Sequence, residues 1–121
     1  MNNVFDYSPG VWTRFRQTPH AGKFAEGAAG VVSVQAGSQA ARSLLRLEVQ
    51  REPLKARFQA YGCPTAIAVG EWLCEQIESR PVAALAEISA PHIRQALEIS
   101  EDRIHCALMG EDVIRALTHQ L

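Results

Sequence analysis

Between residues 44 and 60 the chain alternates. Leu45, Leu47 and Val49 are interleaved with Arg46, Glu48 and Gln50, and beyond Arg51, Glu52 and Pro53 the alternation resumes as Leu54, Ala56, Phe58 and Ala60 against Lys55, Arg57 and Gln59. A period of two puts one set on each face of a strand, so two half-buried strands are predicted. The connection between them is too short for a parallel crossover, so they pair as an antiparallel hairpin with one wet face. Val31, Val32 and Val34, within residues 30–35, predict a third strand.

Past Tyr61 the spacing becomes helical. Ala66, Val69, Leu73 and Ile77 form one stripe and Pro64 suits a first helical position, so a helix starts just after Cys63. Ser79 and Pro81 restart the chain for a short helix through Ile88, Ser89 and Pro91 for one through Leu97, and Ser100 with Glu101 and Asp102 marks the start of a last helix. Val11, Trp12 and Phe15 allow one or two amphipathic turns near the N-terminus. Strands first and helices afterwards define a small α+β fold, an antiparallel sheet of at least three strands with helices packed on one face. No linker or repeat interrupts residues 1–121, which are read as a single domain.

Composition narrows the function. The 121 residues are 47% hydrophobic, enough for one core, and 12 Lys plus Arg against 13 Asp plus Glu give a net charge of −1. That balance lacks the basic footprint of a nucleic-acid or anionic-membrane binder, so neither partner is expected. No apolar run reaches the roughly 18 residues of a membrane span, and the first residues carry neither a basic flank nor a signal core, so a cytoplasmic location is expected. Three cysteines, an odd number, argue against a disulfide framework and leave thiolate chemistry, metal binding or burial as their uses. A glycine-rich phosphate loop, a nucleophile elbow and an HExxH run are all missing, which disfavours a nucleotide enzyme, a hydrolase or a metalloprotease.

Cys63 occupies the corner Tyr61-Gly62-Cys63-Pro64, where Gly62 permits the bend and Pro64 begins the helix. Unpaired N–H groups and the positive end of the helix dipole stabilise a thiolate there, below the free thiol pKa of about 8.5, which suits a nucleophile or a metal ligand. The same corner also suits a small buried residue. Cys106 directly follows His105 in the second turn of the last helix; adjacent helical residues point about 100° apart, yet both reach an ion lying between their directions, and imidazole with thiolate suits zinc or iron. Cys74 follows Cys63 by eleven residues on one helix, roughly 16 Å away, so the two cannot share a metal and Cys74 reads as structural. His20, His92 and His119 read as solvated, Trp12, Phe15 and Trp72 as core or partner contacts, and Glu111-Asp112 as a wet helix face.

Two segments resemble the NifU/IscU-type iron–sulfur cluster scaffold family: Ala56-Arg57-Phe58-Gln59-Ala60-Tyr61-Gly62-Cys63-Pro64-Thr65-Ala66-Ile67-Ala68 and Ile104-His105-Cys106-Ala107-Leu108-Met109-Gly110-Glu111-Asp112-Val113-Ile114-Arg115-Ala116. They occur in the family's order and at its separation, and Arg14-Phe15-Arg16-Gln17-Thr18-Pro19-His20-Ala21-Gly22 is more loosely similar to its N-terminal region. The resemblance implies an antiparallel sheet covered by helices. It also implies a carrier rather than a turnover enzyme, assembling a [2Fe-2S] cluster from ferrous iron and from sulfur supplied by a cysteine desulfurase, with apo iron–sulfur proteins as recipients. Cys63 matches the family's middle cysteine, Cys106 its last and His105 the histidine before it; Cys74 falls outside the pattern.

This chain departs from the family in two places. An Ala-Cys-Gly-Asp loop before the second strand is replaced by Ala36-Gly37-Ser38-Gln39-Ala40-Ala41, which puts Gln39 where the first cysteine belongs and Ala41 where the Asp belongs. Neither replaces a thiolate for iron, and Cys63, Cys106 and His105 supply three ligands where two tetrahedral irons need four terminal positions. The Leu-Pro-Pro-Val-Lys signal of many members reads Ile99-Ser100-Glu101-Asp102-Arg103 here, without proline, so partnership with the chaperone that reads that signal is not expected. Three readings stand: a scaffold binding iron or a cluster, or accepting persulfide sulfur, through Cys63, His105 and Cys106; a degenerate relative holding zinc with the same ligands; and an interaction module with inert cysteines.

Overall fold

The computed structural model describes residues 7–38, 42–51 and 53–121, so Gln39 and Ala41 lie outside the described residues. Among the described residues three strands, β1 (Val31–Ser38), β2 (Ser43–Gln50) and β3 (Lys55–Tyr61), form an antiparallel sheet in the order β1-β2-β3. Leu44 faces Tyr61 and Leu47 faces Phe58 across the hairpin, and Val34 faces Leu47 on the other side. The period-two pattern holds: Leu45, Leu47 and Val49 are fully buried while Arg46, Glu48 and Gln50 are only partly covered.

Helices cover the buried face. Helix α1 (Pro9–Arg16), capped by the Ser8 hydroxyl accepting from the Val11 amide at 3.2 Å, is followed after the sheet by α2 (Pro64–Ser79), α3 (Val82–Leu85), α4 (Ala90–Leu97) and α5 (Ile104–Thr118). The expected stripe Ala66, Val69, Leu73 and Ile77 is entirely buried, and Val113, Ile114 and Leu117 of α5 bury against the same core. Contact between α2 and β3 is close because residue 70 is glycine: a Cβ there would lie 2.4 Å from a carbon of the Phe58 ring.

Two elements differ from expectation. α3 ends at Leu85 rather than running to Ile88, because the residues beyond it are held by α5. The Arg115 guanidinium donates to the Ala86 carbonyl at 2.6 Å, and the Glu111 carboxylate accepts from the Ala90 amide at 2.8 Å. Glu111 is thus a fixed anchor, not a wet face. The stretch that opens on Ser100 begins as a 3-10 turn, Glu101–Arg103, and becomes α-helical only at Ile104.

His20 also departs from expectation. The segment carrying it runs beside β3, with the Phe58 amide donating to the His20 carbonyl at 3.0 Å and the Gly22 amide donating to the Phe58 carbonyl at 2.8 Å. Its ring is wedged between two carboxylates of α2: Nδ1 lies 2.5 Å from Glu71 and Nε2 3.0 Å from Glu78. Glu71 is 1% exposed, and the His20 amide donates to its other oxygen at 3.0 Å. A buried carboxylate needs such partners, so His20 is a structural counter-ion rather than a solvated side chain.

Candidate metal and sulfur site

Cys63 is the N-cap of α2, in extended backbone with φ −76° and ψ 169°, and Pro64 follows it at the first helical position. Gly62 makes this corner: its φ is +145°, a region disfavoured for side-chain-bearing residues, and a Cβ would come within 3.2 Å of the Ser43 hydroxyl. Cys106 lies in the first turn of α5, fully buried, whereas Cys63 is half-buried. Although 43 positions separate them, the two Sγ atoms are 3.8 Å apart. The N-termini of α2 and α5 therefore deliver one sulfur each to the same place.

The pair shares its charge unequally. The hydrogen bond from Cys106 is the largest influence on Cys63 and, helped by the Ala66 and Thr65 amides and the Arg103 guanidinium, it outweighs burial and lowers the Cys63 thiol to about 5. Cys106 is pushed well above the ordinary thiol range, by its role as donor to Cys63 and then by burial. The arrangement favours the charge on Cys63 and the proton on Cys106, with Arg103 the nearby positive charge. Sequence reading did not single out Arg103, whose signal is only its place three residues before Cys106.

His105 is exposed on the first turn of α5, next to Cys106 in the chain. Among the described residues no group of three His, Cys, Asp or Glu side chains is assembled around one ion position. Two of the three sequence-predicted ligands, Cys63 and Cys106, are thus brought together, and His105 is not gathered with them into one ion position. Cys74 is fully buried in α2, and burial first, then the Glu71 and Glu78 carboxylates, push its thiol far up, as befits a core residue. His92 packs edge-on against Trp72 with ring centroids 5.6 Å apart, and His119 is exposed.

Two thiols at this spacing suit a soft, tetrahedral metal. Sulfurs bound about 2.3 Å from one tetrahedral ion are themselves about 3.8 Å apart, so the pair is already set at the span of a chelate. The β1–β2 connection ends nearby, since Leu44 pairs with Tyr61 at the same end of the sheet and the Arg42 carbonyl lies 3.5 Å from the Cβ position of residue 62.

Residues 6–120 match the family model described as the NifU-like N-terminal domain. The chain is 27% identical over 117 residues to the iron-sulfur cluster assembly protein IscU of Plasmodium falciparum, covering 94% of this chain and 72% of that one. It is likewise 27% identical over 114 residues to the iron-sulfur cluster assembly scaffold protein IscU of Escherichia coli K12, covering 91% and 89%. In fold it is similar to a crystal structure from Fervidobacterium islandicum AW-1, provisionally assigned as an iron-sulfur cluster assembly scaffold for the SUF system, with a TM-score of 0.69 at 14% identity over 91% of this chain and 94% of that one.

Proposed function

Because the chain belongs to the family of NifU-like N-terminal domains, we propose that it is an iron–sulfur cluster assembly scaffold whose cargo, iron or a [2Fe-2S] cluster, is held by Cys63, Cys106 and His105. The observation that carries this reading is the 3.8 Å separation of the two sulfurs, which matches the span of two thiolates on one tetrahedral ion. Cys63, half-buried at a helix N-terminus, is also the acceptor of persulfide sulfur, with a cysteine desulfurase as donor and apo iron–sulfur proteins as recipients of the finished cargo.

His105 turns toward the ion and supplies the third ligand. Gln39 and Ala41 leave the fourth position to water, to incoming sulfide or to a second chain, so the cargo is held loosely, as transfer requires. The protein acts as a carrier in the reducing cytoplasm. Among the described residues no helix is long and apolar enough to cross a membrane.

A second reading rests on the same sulfur pair and the missing fourth ligand: a single zinc ion held by Cys63, Cys106, His105 and water. Anaerobic reconstitution with ferrous iron, a desulfurase and cysteine, followed by absorption spectroscopy and metal analysis, separates the two. The scaffold reading expects sulfide-to-iron charge-transfer bands that disappear in both Cys63→Ser and Cys106→Ser. About one zinc per chain with no chromophore supports the second reading, and iron retained equally by wild type and both variants overturns both.

A further inference from the structure

The two sulfurs that fit a metal also fit each other. A disulfide has its sulfurs about 2.05 Å apart, so the 3.8 Å gap between Cys63 Sγ and Cys106 Sγ closes with less than about 2 Å of movement. Cys63 is placed to make that movement by turning its side chain: it follows Gly62 at a corner, and its sulfur already contacts Cys106 and faces the first amides of α2. The thiols also differ in access. Cys63 is half-buried and open to a donor, whereas Cys106, with 0% exposure, meets only what is already attached to its neighbours.

We propose that Cys63 and Cys106 are a sulfide-releasing pair, in which a sulfur accepted by Cys63 from a persulfide donor is expelled as sulfide when Cys106 closes a disulfide onto Cys63. The proposal rests on the reading of Cys63 as sulfur acceptor and specifies what happens to that sulfur. In the first step the Cys63 thiolate attacks the terminal sulfur of a donor persulfide, R–S–SH; the donor's S–S bond breaks, its thiolate RS⁻ leaves, and Cys63 carries S–SH. In the second, Cys106 gives up its proton and bonds to Cys63 Sγ; the bond to the terminal sulfur breaks, and the hydrosulfide anion departs and takes up that proton as hydrogen sulfide. Over both steps two electrons pass from the Cys63 and Cys106 thiols to the transferred sulfur.

Sulfide is thereby made beside the metal ligands without an outside electron donor, and a dithiol reductant restores the two thiols. Metal binding and sulfide release exclude one another within a chain, because each uses both sulfurs. The absent thiolate at Gln39 leaves Cys106 as the one described cysteine placed to resolve the persulfide, since Cys74 lies roughly 16 Å along α2 from Cys63.

The test uses metal-free protein and glutathione persulfide, anaerobically and without reductant, with released sulfide assayed and cysteine peptides mapped by mass. Wild type is expected to release about one sulfide per chain in step with a peptide joining Cys63 to Cys106, while Cys106→Ser and Cys106→Ala keep the extra sulfur on Cys63 and release sulfide roughly tenfold more slowly or less. Independently of any variant, wild type equilibrated in oxidised dithiothreitol is expected to form the same crosslink. A wild type that holds its persulfide as long as the Cys106 variants, or that never forms the crosslink in either experiment, overturns the pair. Iron plays no part here, so failure of metal binding leaves this result standing; a lasting persulfide on Cys63 overturns resolution alone, and no persulfide on any form overturns the acceptor reading as well.

Discussion

At Cys63 the hydrogen bond with Cys106, helped by the first amides of α2, lowers the thiol pKa to about 5, while Cys106 and Cys74 are pushed the other way. Iodoacetamide applied to metal-free protein is therefore expected to modify Cys63 with a midpoint near pH 5, against about 8.5 for a free thiol, and to spare the other two cysteines until the chain unfolds. Replacing Cys106 by Ala removes the principal hydrogen bond and should move that midpoint upward; a midpoint that stays in place assigns the effect to the helix terminus instead. Restoring the ligand that the family resemblance implies at residue 39 is the complementary change. Gln39→Cys is expected to lengthen the lifetime of a reconstituted cluster after chelator is added, by roughly tenfold, and adding Ala41→Asp should shorten it again, as absorption decay will show. The corner at Cys63 was legible because Gly62 and Pro64 punctuate it, and the Cys63–Cys106 pairing came from family resemblance, since spacing says nothing across 43 positions. Arg103 and His20 were not legible: a lone cation and a loop histidine acquire meaning only from partners that the fold brings to them.

Among the elements, the segment through His20 and helix α2 are joined by a charged latch. Burial disfavours protonation of His20, but hydrogen bonds to Glu71 and Glu78 outweigh it and raise its pKa above the usual 6.5. Glu78 moves down: burial opposes its charge, but the Ala56 amide, His20 and Arg57 favour it. With the Glu71 and Glu78 carboxylates facing it, His20 contributes stability that is fully present below its unfolded pKa and fades as pH rises through its folded one; Glu78's contribution fades as pH falls through its own depressed value. His20→Gln leaves the Glu71 carboxylate underpartnered and should cost about 1–3 kcal/mol in urea unfolding, more at about pH 6 than at about pH 9. An equal cost at both pH values would mean that folding does not favour protonation of His20. The strands were readable because one face is wet and period two survives. The shortening of α3 was not, because Arg115, 29 residues beyond Ala86, and Glu111, 21 beyond Ala90, hold the stretch that follows it.

Across the whole molecule, topology explains why the site exists. Antiparallel pairing returns β3 to the end of the sheet where β2 begins, α2 starts there with Cys63, and α5 packs alongside so that its first turn carries Cys106 to the same point. The sheet and the helices that cover it give the rigidity; Cys63 sits at the start of α2, where backbone N–H groups favour its thiolate, and Cys106 lies buried in the first turn of α5. X-ray absorption of protein loaded anaerobically with ferrous iron, without sulfide, tests directly whether both sulfurs hold one ion. Two sulfur ligands per iron at about 2.3 Å are expected in wild type, falling to one in Cys63→Ser and in Cys106→Ser. Iron surrounded only by oxygen and nitrogen in wild type, or two sulfurs persisting in either variant, would contradict the shared site.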